Sequence, residues 1–87
     1  MQSKIYFTKH AKEKFGILKR HGFIVSKKLV VDTVKNPNRT DYSRWPLKIA
    51  QREFDKTRVL RVVYKEADSQ KIIITFYPGR KDQYEKS

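Results

Sequence analysis

The sequence predicts an α+β fold: two N-terminal helices packed on one face of a four- to five-stranded antiparallel sheet. Three observations carry this. Before Pro37 the apolar residues recur at helical spacing, and from Arg39 onward they alternate with a period of two. The connections between the alternating runs are only a few residues long, which favours antiparallel neighbours.

Lys4-Ile5-Tyr6-Phe7 alternates and reads as a short strand that joins the sheet at an edge. Thr8 is placed to cap the helix that follows. In that helix Ala11, Phe15 and Leu18 share the core face, while His10, Lys14, Ile17 and His21 form a second stripe at its margin. Gly22 supplies a left-handed stop. Ser26 caps a second helix with Leu29, Val30, Val31 and Val34, and Val25 and Val30 stand at staple positions. Asn36-Pro37 ends it, because proline cannot continue a helix and restrains the residue before it.

The strands follow. Arg39 to Trp45 is one, interrupted by Pro46. Leu47 to Phe54 is the next, turning at Asp55-Lys56. Thr57 to Lys65 is the third, and Glu66-Ala67-Asp68-Ser69 its turn. Lys71 to Tyr77 is the fourth, closed by Pro78-Gly79. The 87 residues have room for one domain, 1–87, with 79–87 as a charged tail.

Lysine and arginine total 21 against 9 acids, a net charge of +12 spread along the whole chain. Such a body favours anionic partners: nucleic acid, an acidic protein or an anionic surface. The absence of cysteine removes disulfides, thiolate zinc sites and thiol catalysis, and fits the cytoplasm. No apolar run approaches the ~20 residues of a membrane span, so no membrane partner is expected. The acids are scattered, so no metal or other cofactor is expected.

Alternation also proposes a site. In the third strand Leu60, Val62 and Tyr64 share one face, with Val59, Arg61 and Val63 on the other. In the fourth, Ile72, Ile74 and Phe76 oppose Ile73, Thr75 and Tyr77. The apolar sets belong under the helices. Arg61, Thr75 and Tyr77 then converge on an open, concave face. Arg52 adds charge from the neighbouring strand, and Arg58, Lys65 and Arg80 lie at strand ends where they can grip phosphates. Lys14, Arg20 and Lys81 complete the candidate nucleic-acid-binding set. With His10 the grouping suits metal-free RNA cleavage. Histidine exchanges a proton near neutral pH, arginine clamps a developing phosphorane charge, and tyrosine orients or donates. Each residue also has a plainer account. Arg61 reads equally as an exposed strand arginine, Thr75 as a β-former, Tyr77 as a half-buried cap on the core, and His10 as a helix-margin histidine with a backbone partner. Tyr6, Tyr42, Trp45 and Tyr84 are candidate base-stacking aromatics.

Thr8-Lys9-His10-Ala11 with Lys14, Gly22-Phe23-Ile24, Ser26, Asn36-Pro37 and Ile74-Thr75-Phe76-Tyr77-Pro78 follow one another in an order that resembles a family of small prokaryotic domains of unknown function. That family is similar to the barnase–EndoU–colicin–RelE group of toxin nucleases. The resemblance spans about positions 4 to 78. It implies a RelE-like arrangement of helices on an antiparallel sheet, metal-independent ribonuclease activity of a toxin–antitoxin module, and an acidic antitoxin partner. It makes His10 the family histidine and Thr75 and Tyr77 the terminal-strand pair. Lys14 and His21 stand where the family commonly has arginine. The expectation is a toxin-type endoribonuclease acting on RNA, including mRNA or tRNA on the ribosome. The alternatives are a non-catalytic nucleic-acid-binding module and an interaction domain for an acidic protein.

Overall fold

In the computed structural model, which describes residues 4–84, two hydroxyl groups set where the helices begin. Thr8 Oγ1 accepts from the Ala11 N–H at 3.1 Å, and Ser26 Oγ accepts from the Leu29 N–H at 3.0 Å. Each satisfies a first-turn donor that the helix leaves free. Helix α1 then runs over Lys9–Arg20 and α2 over Lys27–Lys35. At the end of α1 the Gly22 N–H donates to the Lys19 carbonyl and the Phe23 N–H to the Leu18 carbonyl. This closure needs a left-handed residue, and Gly22 has φ 87°.

The strands are β1 (Lys4–Phe7), β2 (Arg39–Asp41), β3 (Lys48–Glu53), β4 (Arg58–Ala67) and β5 (Gln70–Arg80), followed by a single helical turn, α3 (Lys81–Tyr84). They form one sheet in the order β1-β5-β4-β3-β2. The β4–β5 hairpin turns on Asp68 and Ser69, both left-handed at φ 51° and 62°, which matches the twist of a tight hairpin. The β3–β4 turn is organised by Asp55, whose carboxylate accepts from the Thr57 and Arg58 N–H groups.

The main core lies between the helices and one face of the sheet. Ala11, Leu18, Val30 and Val34 meet Ala50, Leu60, Val62, Tyr64, Ile73 and Phe76. Phe15 bridges the layers, its ring 4.6 Å from Phe76 and 5.9 Å from Phe7. Among the described residues no helix is long and apolar enough to cross a membrane.

Several expectations are corrected. The sheet is mixed, because β1 pairs parallel to β5, from Lys4 beside Gln70 to Phe7 beside Ile73. The helices are not all N-terminal, since α3 follows β5. The strand expected over Arg39 to Trp45 stops at Asp41, where successive turns over 42–47 take over. Pro78 and Gly79 do not close β5, which continues to Arg80. Beyond Ile73 the β1 side of β5 is an open edge, where a residue without an N–H is tolerated. The charged tail is therefore strand to Arg80 and helix over 81–84; its residues 85–87 lie outside the described residues. Finally, Ile73 rather than Ile72 or Ile74 shares the buried face with Phe76. The register slips between Val63 and Tyr64, where Val63 pairs with Thr75 and Tyr64 with Ile73. Ile74 is thus an extra residue, and such a bulge shifts the alternation by one.

Candidate functional site

The face of the sheet away from α1 and α2 carries two cross-strand rows that hold the polar candidates. Register aligns Asp41, Ile49, Val63 and Thr75 across β2 to β5, and beside them Arg39, Gln51, Arg61 and Tyr77. Arg61 is the hub. It is only 4 % exposed, yet every nitrogen of its guanidinium has an acceptor. Nε donates to Tyr77 Oη at 3.3 Å, one terminal nitrogen to Gln51 Oε1, and the other to Asp41 Oδ2 at 2.8 Å. Burial works against its charge, but the bonds to Tyr77 and Asp41 outweigh burial and hold its pKa above the ordinary arginine value.

What buries Arg61 is α3. The Tyr84 ring lies over the guanidinium, 4.1 Å from centroid to carbon. The Tyr84 carbonyl accepts from Arg39 at 2.7 Å, and Lys81 pairs with Glu53 at 2.6 Å. Gly79 makes room for this cover, since a Cβ there would collide with the Tyr84 ring. The expected open, concave face is therefore closed over Arg61. An arginine on an apolar alternation was visible in the sequence; that the last described turn folds back to cover it was not.

His10 approaches from the other side. The Thr8 N–H donates to the Ile73 carbonyl, and its hydroxyl donates to the Ile74 carbonyl at 3.2 Å. These bonds fasten the start of α1 to the free edge of β5. His10 Nε2 then lies 3.2 Å from Thr75 Oγ1, with the ring exposed. Which of the two donates is set by the imidazole tautomer. Thr75 and Tyr77 are two apart on one strand and so share a face. The structure thus brings His10, Thr75, Tyr77 and Arg61 together as two bonded pairs, His10–Thr75 and Arg61–Tyr77, side by side on β5.

The seven candidate phosphate-binding residues do not form one patch. Lys14 lies one turn beyond His10 on α1, and Arg20 ends that helix, exposed. Arg52 stands opposite Leu60, on the helix-covered side, and Lys65 stands exposed opposite Ile72. Arg58 and Arg80 are register partners at the far end of the sheet. There Arg58 bonds Asp55 at 3.4 Å and its guanidinium covers Phe23 at 5.0 Å, while Arg80 bonds Asp82 at 3.2 Å. Lys81 and Arg80 line a shallow depression of about 330 Å3 with Lys56, Thr57 and Asp82. Among the described residues no three His, Asp or Glu side chains gather at metal-ligand spacing.

Asp41 and Gln51 were not singled out from the sequence. Arg61 was the available signal, because an arginine within a Val-Arg-Val alternation needs a counterion if the face is covered. The Ser43 backbone N–H and hydroxyl, and then the Arg61 guanidinium, hold the Asp41 carboxyl at about 2, against an ordinary 3.8. A pKa depressed by folding stabilises the protein fully above the ordinary value, and that contribution is lost as pH falls from about 4 toward 2. We expect Asp41→Asn to lower stability at neutral pH by about 2 kcal/mol at most. Melting curves of both proteins should converge near pH 2. A gap that stays constant from pH 6 to pH 2 would show that the carboxylate charge is not what matters.

Comparison of the chain with protein-family models, with curated proteins and with solved structures gives no significant match in any of the three.

Proposed function

We propose that this chain is a metal-independent endoribonuclease of the toxin type, acting on RNA in the cytoplasm and restrained by an acidic antitoxin protein, with His10 at its reacting centre. The observation that carries the reading is the exposed His10 ring, 3.2 Å from Thr75 Oγ1 and beside Tyr77 on the same strand. The net charge of +12 supplies the attraction for RNA.

His10 takes the ribose 2′-OH proton, and the 2′-oxygen attacks the adjacent phosphorus. The bond from phosphorus to the 5′-oxygen breaks, and Tyr77 gives that oxygen its proton, leaving a 2′,3′-cyclic phosphate and a 5′-hydroxyl. Tyr77 suits this role because Arg61 Nε–H donates to its oxygen, which leaves the phenol proton free to be given. Thr75 fixes the imidazole. Arg61 acts through Tyr77 as a positioning residue, and Lys14, one turn along α1 from His10, meets the phosphate.

The test is cleavage of a labelled single-stranded RNA in EDTA, with His10→Ala alongside. Wild type should cut and leave a cyclic phosphate. His10→Ala should lose about 10²- to 10⁴-fold in rate with little change in binding. If wild type binds RNA but cuts neither free RNA nor ribosome-bound message, the chain is a binding module instead. The engaged state of Arg61 is the observation that favours that second reading.

A further inference from the structure

The loop between β2 and β3, residues 42–47, puts two aromatic rings into solvent. Trp45 is 68 % exposed and Tyr42 58 %, and their centroids are 6.4 Å apart at an interplanar angle of 44°. The loop holding them is braced. The Trp45 N–H donates to the Tyr42 carbonyl at 3.1 Å, and the Leu47 N–H to the Arg44 carbonyl at 2.9 Å. The Ser43 N–H donates to Asp41 Oδ1 at 2.8 Å, and the other oxygen of that carboxylate takes Arg61. The loop is thus tied to the buried hub of the candidate site.

Cations flank the rings. Lys48 Nζ stands 5.7 Å from the Trp45 centroid and is held there by an ion pair with Glu66 at 2.8 Å. Arg44, between the two aromatics in sequence and exposed, enters none of the ion pairs among the described residues. Burying apolar surface stabilises a fold, and these rings bury little of theirs. Flat π-faces next to cations, on a chain of net charge +12, match unpaired nucleobases joined by phosphates. A duplex hides the base faces such rings would take.

We propose that residues 42–47 form a base-stacking platform for single-stranded RNA, Trp45 and Tyr42 each taking one base while Arg44 meets a flanking phosphate. This rests on the RNA reading above and adds the strand state of the substrate to it.

Trp45 is the single tryptophan of the sequence, so tryptophan emission, excited apart from the tyrosines, reports on this loop alone. The experiment titrates the protein with a short oligouridylate and with duplex RNA of equal length. Unlabelled RNA is read by tryptophan emission and dye-labelled RNA by anisotropy. Oligouridylate should quench Trp45 in step with binding, and duplex RNA should not. Trp45→Ala and Tyr42→Ala should each weaken single-strand binding about 5- to 150-fold, as expected for one stacked base, with duplex binding unchanged. Circular dichroism checks that both variants fold. Binding of oligouridylate without quenching, or with unchanged affinity in both variants, overturns the platform and leaves the RNA reading standing. Absence of binding to either RNA overturns both. Quenching by oligoglutamate in place of RNA overturns the platform in favour of an acidic protein partner.

Discussion

Replacing Arg61 with alanine is expected to lower the melting temperature by at least ~12 °C, from a loss of about 3–5 kcal/mol. The substitution strips four groups at once, Tyr77 Oη losing the Nε–H that it accepts. Gln51, 1 % exposed, loses its donor; Asp41 loses its counterion; and the Tyr84 ring loses the surface it covers. An unpaired polar group in a buried position costs more than the bond contributed when made. Arg61→Lys should recover little, because one ammonium cannot replace a planar fork that reaches Tyr77, Gln51 and Asp41 together. Thermal melts by circular dichroism measure the effect. A second outcome is equally informative. If Arg61→Ala melts within a few degrees of wild type but loses RNA cleavage, the guanidinium meets phosphate directly, as an open strand arginine would.

The other large effect is expected in the helix-side core. Phe76 is fully buried, and its ring packs against Phe15, which in turn packs against Phe7. Phe76→Ala removes the middle of the contact that holds α1 to β5, at a cost of about 3–5 kcal/mol. A domain of this size has on the order of 5–10 kcal/mol in total, so about a third or more of its stability would go. Urea unfolding should show a lower midpoint with an unchanged slope. Phe76→Leu should recover most of the loss, since it leaves a much smaller void. A midpoint shift for Phe76→Ala below about 1 kcal/mol would mean that α1 does not depend on this face of the sheet. The variant also bears on the site, because Phe76 lies between Thr75 and Tyr77. His10 should lose its held position before the sheet itself melts.

What could be read from the sequence was local. Thr8, Gly22, Ser26 and Pro37 mark helix ends through their own side chains or backbone preferences. Each acts on residues within one turn, so adjacent letters suffice. Asp55 and the Asp68-Ser69 pair mark turns in the same way. Apart from the local turns that end β2 at Asp41, the features that escaped detection depend on partners distant in the chain. The parallel placement of β1 depends on residues 70–73, and the burial of Arg61 on Tyr84. The slip at Ile74 reversed a correct alternation rule, because one bulged residue moves Ile73 onto the core side. For the site, residue chemistry and the motif order selected His10, Thr75 and Tyr77, but neither pairs His10 with Thr75. The phosphate-binding set is scattered for a related reason: a residue's charge says nothing about which face of a sheet it leaves from.

The parallel pairing of β1 with β5 has a consequence for when the site exists. Synthesis completes β1, α1 and α2 long before the residues of β5 are made, and β5 is the strand that enters between β1 and β4. A nascent chain that has reached only Lys65 already carries His10 on its helix. It has neither Thr75 to hold the ring nor Tyr77 beside it, and β1 has no neighbour. Closing so long a loop adds little free energy beyond closing a shorter one, but it must wait for β5. Assembly of the arrangement is therefore tied to synthesis of β5, and a nascent chain that lacks β5 carries the histidine without the partners around it.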